Sequence, residues 1–166
     1  MLLVEITREV VMSFRYKGLL VATFEPFLRM SDAELEAIGA RRMIADEKPS
    51  FPCRVTLEDA ELGERVLLLS FPHQDAHSPF RASGPVFIRE GARETYDCDV
   101  PPPVFRAGRL LSARAYDAAG MMVDADVTES DDLELLLGKL FARDDTDYVH
   151  VHYARRGCFA ARVERA

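Results

Sequence analysis

The sequence predicts an α+β fold: a largely antiparallel sheet built from three hairpins, with two or more helices packed against it. Three observations predict it. Glu61-Leu62-Gly63, Ala118-Ala119-Gly120 and Arg155-Arg156-Gly157 each end on a glycine, where a three-residue hairpin loop needs a positive φ. The residues flanking each loop alternate between apolar and polar, the period of a half-buried strand. Two further segments combine helical spacing with capping residues, one ahead of the hairpins and one between the second and the third.

In chain order, Val10, Met12, Phe14 and Tyr16 alternate with Val11, Ser13, Arg15 and Lys17, which predicts a first strand. Met12-Ser-Phe-Arg itself has the form of a start. Residues 1–11 are therefore set apart as an N-terminal extension with no assigned role, leaving 12–166 as a single α+β domain. A short helix follows: Ser31 and Glu34 form a capping box, Met30 and Leu35 a hydrophobic staple, and Gly39 the left-handed stop. The first hairpin then sets Val55 and Leu57 against Leu69 and Leu67, and Asp59 against Arg65. Pro85-Val-Phe-Ile-Arg-Glu reads as a further strand. Asp97 to Val100 reads as a loop, leading through Pro101-Pro102-Pro103 into an extended segment.

The second hairpin pairs Leu111, Ala113 and Ala115 with Val127, Ala125 and Val123, and on its other face Arg114 with Asp124 and Tyr116 with Met122. A second helix starts near Ser130. Its Leu133, Leu136, Leu137, Leu140 and Phe141 make one apolar stripe, with Asp131 and Asp132 in the first turn and Arg143 near the last. Asp144-Asp-Thr-Asp147 is an acidic turn into the third hairpin. There Val149, Val151 and Tyr153 meet Val163, Ala161 and Phe159, while His150 faces Arg162, His152 faces Ala160 and Ala154 faces Cys158.

Composition narrows the function classes. A domain of this length buries roughly 70% of its unfolded surface and needs no disulfide or metal to fold. A net charge of −7 over 166 residues, with basic residues scattered among more numerous acids, opposes nucleic acid and anionic membrane as partners. The amino terminus has glutamates where a secretory signal is basic and then apolar, and no apolar run approaches the roughly 20 residues of a membrane span. Three cysteines, an odd number without a C-x-x-C pair, fit a reducing compartment. The expectation is a cytoplasmic protein.

Three strings carry a resemblance. They are Asp46-Glu-Lys-Pro-Ser-Phe-Pro-Cys-Arg-Val-Thr-Leu-Glu-Asp-Ala, Ser78-Pro-Phe-Arg-Ala-Ser-Gly-Pro-Val-Phe-Ile-Arg-Glu, and Tyr148-Val-His-Val-His-Tyr-Ala-Arg-Arg-Gly-Cys-Phe-Ala-Ala-Arg-Val. With them the chain resembles the bacterial domain-of-unknown-function family 1203, from about Met12 to the carboxyl end. The resemblance implies a small bacterial single-domain protein with no established activity. It carries over no catalytic or binding residue, and it makes the first eleven residues an extension relative to the family's usual start.

Candidate chemistry collects on one face of the third hairpin. His150 and His152, two apart on a strand, point to the same side, with Arg162, Cys158 and Glu164 on that surface. His150, His152 and Cys158 are the candidate catalytic residues, a histidine doing acid–base work near neutral pH. Arg81, Ser83, Arg162 and His73 are the candidate ligand-binding residues, a small-residue turn and guanidinium groups suited to an anionic group. The ordinary reading of the same face is a solvated or partly covered polar surface. A zinc set drawn from His73, His77 and the His150/His152 pair would need two segments to meet that nothing in the sequence brings together. Arg162 across from His150 also opposes a cation there. No metal and no cofactor is expected.

Two readings of function follow. One is a small anionic-ligand binder or small enzyme with a His/Cys/Arg pocket. The other is a non-catalytic accessory domain whose open sheet face or edge meets a partner, or its own copy as a homo-oligomer.

Overall fold

Phe14 and Tyr16 are buried and Arg15 exposed, as the alternation requires, and Phe14–Lys17 forms strand β1. The computed structural model describes residues 12–166; the proposed extension at 1–11 lies outside them. After β1 come a 3-10 turn (Val21–Phe24) and two short helices, α1 (Glu25–Leu28) and α2 (Asp32–Ala37). Helix α2 carries the expected capping box: Ser31 Oγ accepts from the Glu34 amide, and the Glu34 side chain accepts from the Ser31 amide. Gly39 ends it at φ 73°. Strands β2 (Arg41–Ile44), β3 (Arg65–Gln74), β4 (Ala82–Arg89), β5 (Asp97–Cys98), β6 (Leu110–Tyr116) and β7 (Met122–Glu129) follow, then α3 (Leu133–Phe141) and the hairpin β8 (Tyr148–Tyr153) and β9 (Phe159–Arg165).

The strands form two antiparallel sheets, one of order β5-β1-β9-β8-β6-β7 and a smaller one of order β2-β3-β4. The fold is α+β. Helix α3 lays Leu133, Leu136, Leu137, Leu140 and Phe141 on one face of the larger sheet, against Leu111, Ala113, Ala115, Val149, Val151 and Val163. Each fully buried leucine there contributes roughly 1.5–3 kcal/mol. A second core, including Phe24, Leu35, Cys53, Leu67, Leu69, Val86 and Ile88, joins α2 to the smaller sheet. Among the described residues no helix is long and apolar enough to cross a membrane.

Three expectations need correction. The first hairpin does not form: β3 pairs with β2 and β4, and residues 51–60 make only isolated bridges, Pro52 to Asp59 and Cys53 to Phe87. Leu57 takes a φ of 52°, a left-handed conformation that ends any strand. Val55 and Leu57 are nevertheless fully buried, because their carbonyls accept from the Tyr96 and Val104 amides. Asp59 pairs with Arg106 and Arg65 with Glu90. Gly18 permits this packing, since a Cβ there would lie 2.2 Å from the Val55 oxygen.

In the second hairpin Tyr116 meets Met122, but a bulge at Val123 shifts the rest by one residue, so Arg114 faces Ala125 and Ala115 faces Asp124. Val127 is left 51% exposed on the edge strand. Asp97–Cys98, read as loop, pairs with Lys17 and Tyr16.

Candidate metal centre

The third hairpin holds the expected register from Val149–Val163 to Val151–Ala161, and then a bulge at Ala160 sets His152 against Phe159. That bulge moves Phe159 from the apolar face to the histidine face. On its other side β8 pairs with β6, which places Arg114 opposite His150 and Ser112 opposite His152. His150 and His152 are 2% and 1% exposed, so this face is not solvated.

The end of β3 covers it. A bulge between Phe71 and Gln74 leaves Phe71 facing Gly84 and Gln74 facing Ala82, and bulges of this kind re-aim a side chain. The His73 ring reaches the larger sheet here. It stacks on Phe159 at 5.1 Å and 7°, with centroids 5.2 Å from His152 and 6.3 Å from His150. Three hydrogen bonds hold the cover down. Gln74 Nε2 donates to the Tyr148 hydroxyl (2.9 Å), Ser78 Oγ to the Gly120 carbonyl (2.8 Å), and Arg54 Nε to the Phe159 carbonyl (2.6 Å).

One ring nitrogen from each of His73, His150 and His152 lies within 4.8 Å of the others. Three ring nitrogens, His73 Nδ1, His150 Nδ1 and His152 Nε2, are buried without a hydrogen-bond partner among the described residues. His152 Nδ1 lies 2.9 Å from the Gly157 carbonyl, which can only accept. Nδ1 therefore carries the proton, and Nε2 presents its lone pair to the cluster. Burial, with Arg162 next, holds His150 well below its ordinary pKa; burial, with Arg114 next, lowers that of His73. His152 is pushed down to about 4, mainly by burial. All three imidazoles are neutral at pH 7, the form that binds metal.

This donor set fits a borderline transition ion. Zinc binds imidazole nitrogen at about 2.0–2.1 Å, so three tetrahedral ligands stand about 3.4 Å apart and the cluster must close by little more than 1 Å. The bond from His152 Nδ1–H to a backbone carbonyl is the usual outer-shell support of a ligating histidine. Arg162, the cation opposite His150, is turned aside: its Nε donates to Glu164 (2.7 Å) and its guanidinium lies 3.8 Å from the Tyr148 ring centre.

Of the residues singled out in the sequence, His73, His150 and His152 meet here and Arg162 stands beside them. Cys158 is not part of the cluster; its thiol contacts the Arg156 carbonyl at 3.9 Å. Arg81 is exposed and pairs with Asp75 (3.0 Å), and Ser83 and His77 are exposed. Cys53 is fully buried in the second core and bridges to Phe87. Sequence reasoning missed Arg114 and Ser112, which share the histidine face. The same-face rule finds them once β6 is known to lie beside β8.

A family profile described as "protein of unknown function (DUF1203)" matches residues 50–165. The chain belongs to the DUF1203 family. All three clustered histidines fall inside the DUF1203 match, whereas the first 49 residues, with β1, α2 and β2, precede it. No curated protein and no solved structure matches the chain.

Proposed function

We propose that this is a metal-binding protein in which His73, His150 and His152 hold a single divalent transition ion of the zinc class. The observation that carries the reading is the convergence of two buried imidazoles and one half-buried one, each with a buried nitrogen that no group among the described residues satisfies. Leaving such an atom buried and unpaired costs about 1–3 kcal/mol, and a shared ion satisfies all three at once. A nitrogen-only set selects zinc, copper, nickel or iron over magnesium and calcium, which take oxygen. Three protein ligands leave a fourth position for water or a ligand, the arrangement of catalytic rather than structural zinc.

The competing reading, docking through the open edge strand β7, is opposed by that strand's own chemistry. Asp124 and Asp126 accept from the Ala125 and Val127 amides (2.8 Å each), occupying donors that an added strand would need. The three cysteines are free, which supports placing the protein in the reducing cytoplasm of a bacterium.

Elemental analysis of the purified protein, with melting curves in the presence and absence of a chelator, tests the reading. The expected result is about one equivalent of metal and a melting temperature lowered by chelator by about 5–10 °C, from binding linkage at a hundredfold excess over Kd. His152→Gln and His150→Gln are expected to lose both. Absence of stoichiometric metal together with superimposed curves refutes it, as does bound metal that survives every histidine substitution.

A further inference from the structure

Arg114 stands on the histidine face without a carboxylate partner among the described residues. Arg54 also lacks one there, but it is buried and donates to the Phe159 and Pro52 carbonyls. The recorded bond of Arg114 is a long one, Nε to Ser112 Oγ at 3.4 Å. Arg114 stands directly across β6–β8 from His150, and Ser112 stands across from His152. Both are half-buried, whereas His150 and His152 are buried. The neighbouring Arg162 differs in that it pairs with Glu164, a carboxylate it shares with Lys17.

We propose that Arg114 makes this centre a receptor for a small oxyanion (carboxylate, carbonate or phosphate). The guanidinium binds the oxyanion on one side and the fourth coordination position of the ion binds it on the other. This rests on the three-histidine metal reading and extends it to a ligand class.

The argument is one of charge. Three neutral imidazoles bring no negative charge to a divalent ion, and among the described residues no Asp, Glu or Cys joins the cluster. The loaded centre plus Arg114 therefore concentrates three positive charges beside largely buried walls, which is unfavourable unless an anion compensates. A guanidinium presents a planar fork of N–H donors that matches two oxygens of a carboxylate or phosphate. The remaining oxygen lone pairs suit the ion. The Ser112 hydroxyl, already within reach of the Arg114 Nε, fixes the guanidinium's approach and offers one more donor.

Cobalt(II) serves as the probe, because its visible spectrum reports each change in coordination. The full-length protein is stripped, loaded with cobalt and titrated in separate arms with acetate, bicarbonate and inorganic phosphate, and the strongest arm names the oxyanion class. A saturable spectral change is expected in at least one arm. In Arg114→Gln, cobalt binds as in the native protein but anion affinity falls about ten- to a hundredfold, the loss of one or two charge-assisted hydrogen bonds. Arg114→Lys recovers part of it.

A cobalt spectrum indifferent to every anion overturns the oxyanion proposal and leaves the metal reading intact. An Arg114→Gln protein that responds like the native one overturns the role of Arg114. Failure of the native protein to bind cobalt at all removes the metal reading and the oxyanion proposal with it.

Discussion

Strand β8 is buried on both sides, yet its two faces have nothing chemically in common. Val149 and Val151 are fully buried beneath α3. Their neighbours are other aliphatic side chains, so their burial is favourable without further condition. His150 and His152 are as deeply buried, but beneath β3 and among aromatic rings, each with a ring nitrogen that has no partner among the described residues. Burial of that kind is costly unless something satisfies it. The first face is therefore explained by packing alone, and the second is the one for which we propose a ligand. Burial fraction by itself does not distinguish a core from a site; the inventory of unsatisfied atoms does.

Substitutions on each face should separate the two most sharply where the core is densest. Leu137→Ala, at a fully buried position on α3, is expected to cost about 2–5 kcal/mol in urea unfolding while leaving metal content unchanged. A loss of metal in that variant would mean that the faces are not independent.

Acid should act on the other face. His152 is held neutral in the fold down to about pH 4, whereas in the unfolded chain it takes up a proton near 6.5. Falling pH therefore favours unfolding. The loss begins near 6.5 and ends near 4, where the folded protein is protonated too, and reaches on the order of 3 kcal/mol for His152 alone. His150, also held below its ordinary pKa by burial, adds to it. Urea midpoints of the chelated protein across this range, beside those of His152→Gln, measure the effect; parallel curves would contradict a buried neutral imidazole.

Phe159 gives the smallest and most discriminating change. It stacks on His73 but offers no ligand atom. Phe159→Leu is expected to cost under about 1.5 kcal/mol and to weaken metal retention by no more than about tenfold, read by competition with a chromogenic chelator. A much greater loss would assign the ring a larger part in aiming His73 than the stack implies.

The same contrast explains what could be read from residues alone. The stripe of α3, the capping box of α2 and the hairpin loops at Gly120 and Gly157 emerge as expected, because each depends on neighbours within a few positions; at Gly63 only the turn forms, not the hairpin. Gly63, Gly120 and Gly157 all have positive φ. The shared direction of His150 and His152 follows from strand period and is equally local.

The bulges were not legible. Cys158-Phe-Ala-Ala-Arg-Val contains two adjacent alanines, so nothing marks Ala160 as the extra residue, and Phe159 was assigned to the wrong face. Val55 and Leu57 mimic a strand because both are buried, although coil buries them. Arg41-Arg42-Met43-Ile44 carries no alternation to mark β2, which took the place beside β3 that residues 51–60 were expected to fill. His73 follows Pro72 and precedes Ser78-Pro79, which reads as a loop, yet β3 runs to Gln74. Its meeting with β8 depends on how two sheets dock, and no local pattern encodes that.

His73 is anchored in one sheet and its two companions in the other. An occupied centre would thus act as a rivet through both layers, making their separation as slow as release of the ion itself. Backbone amides at the tip of the β3–β4 ribbon should then exchange with deuterium far more slowly in loaded protein than in stripped protein, while those under α3 keep the same pace in both.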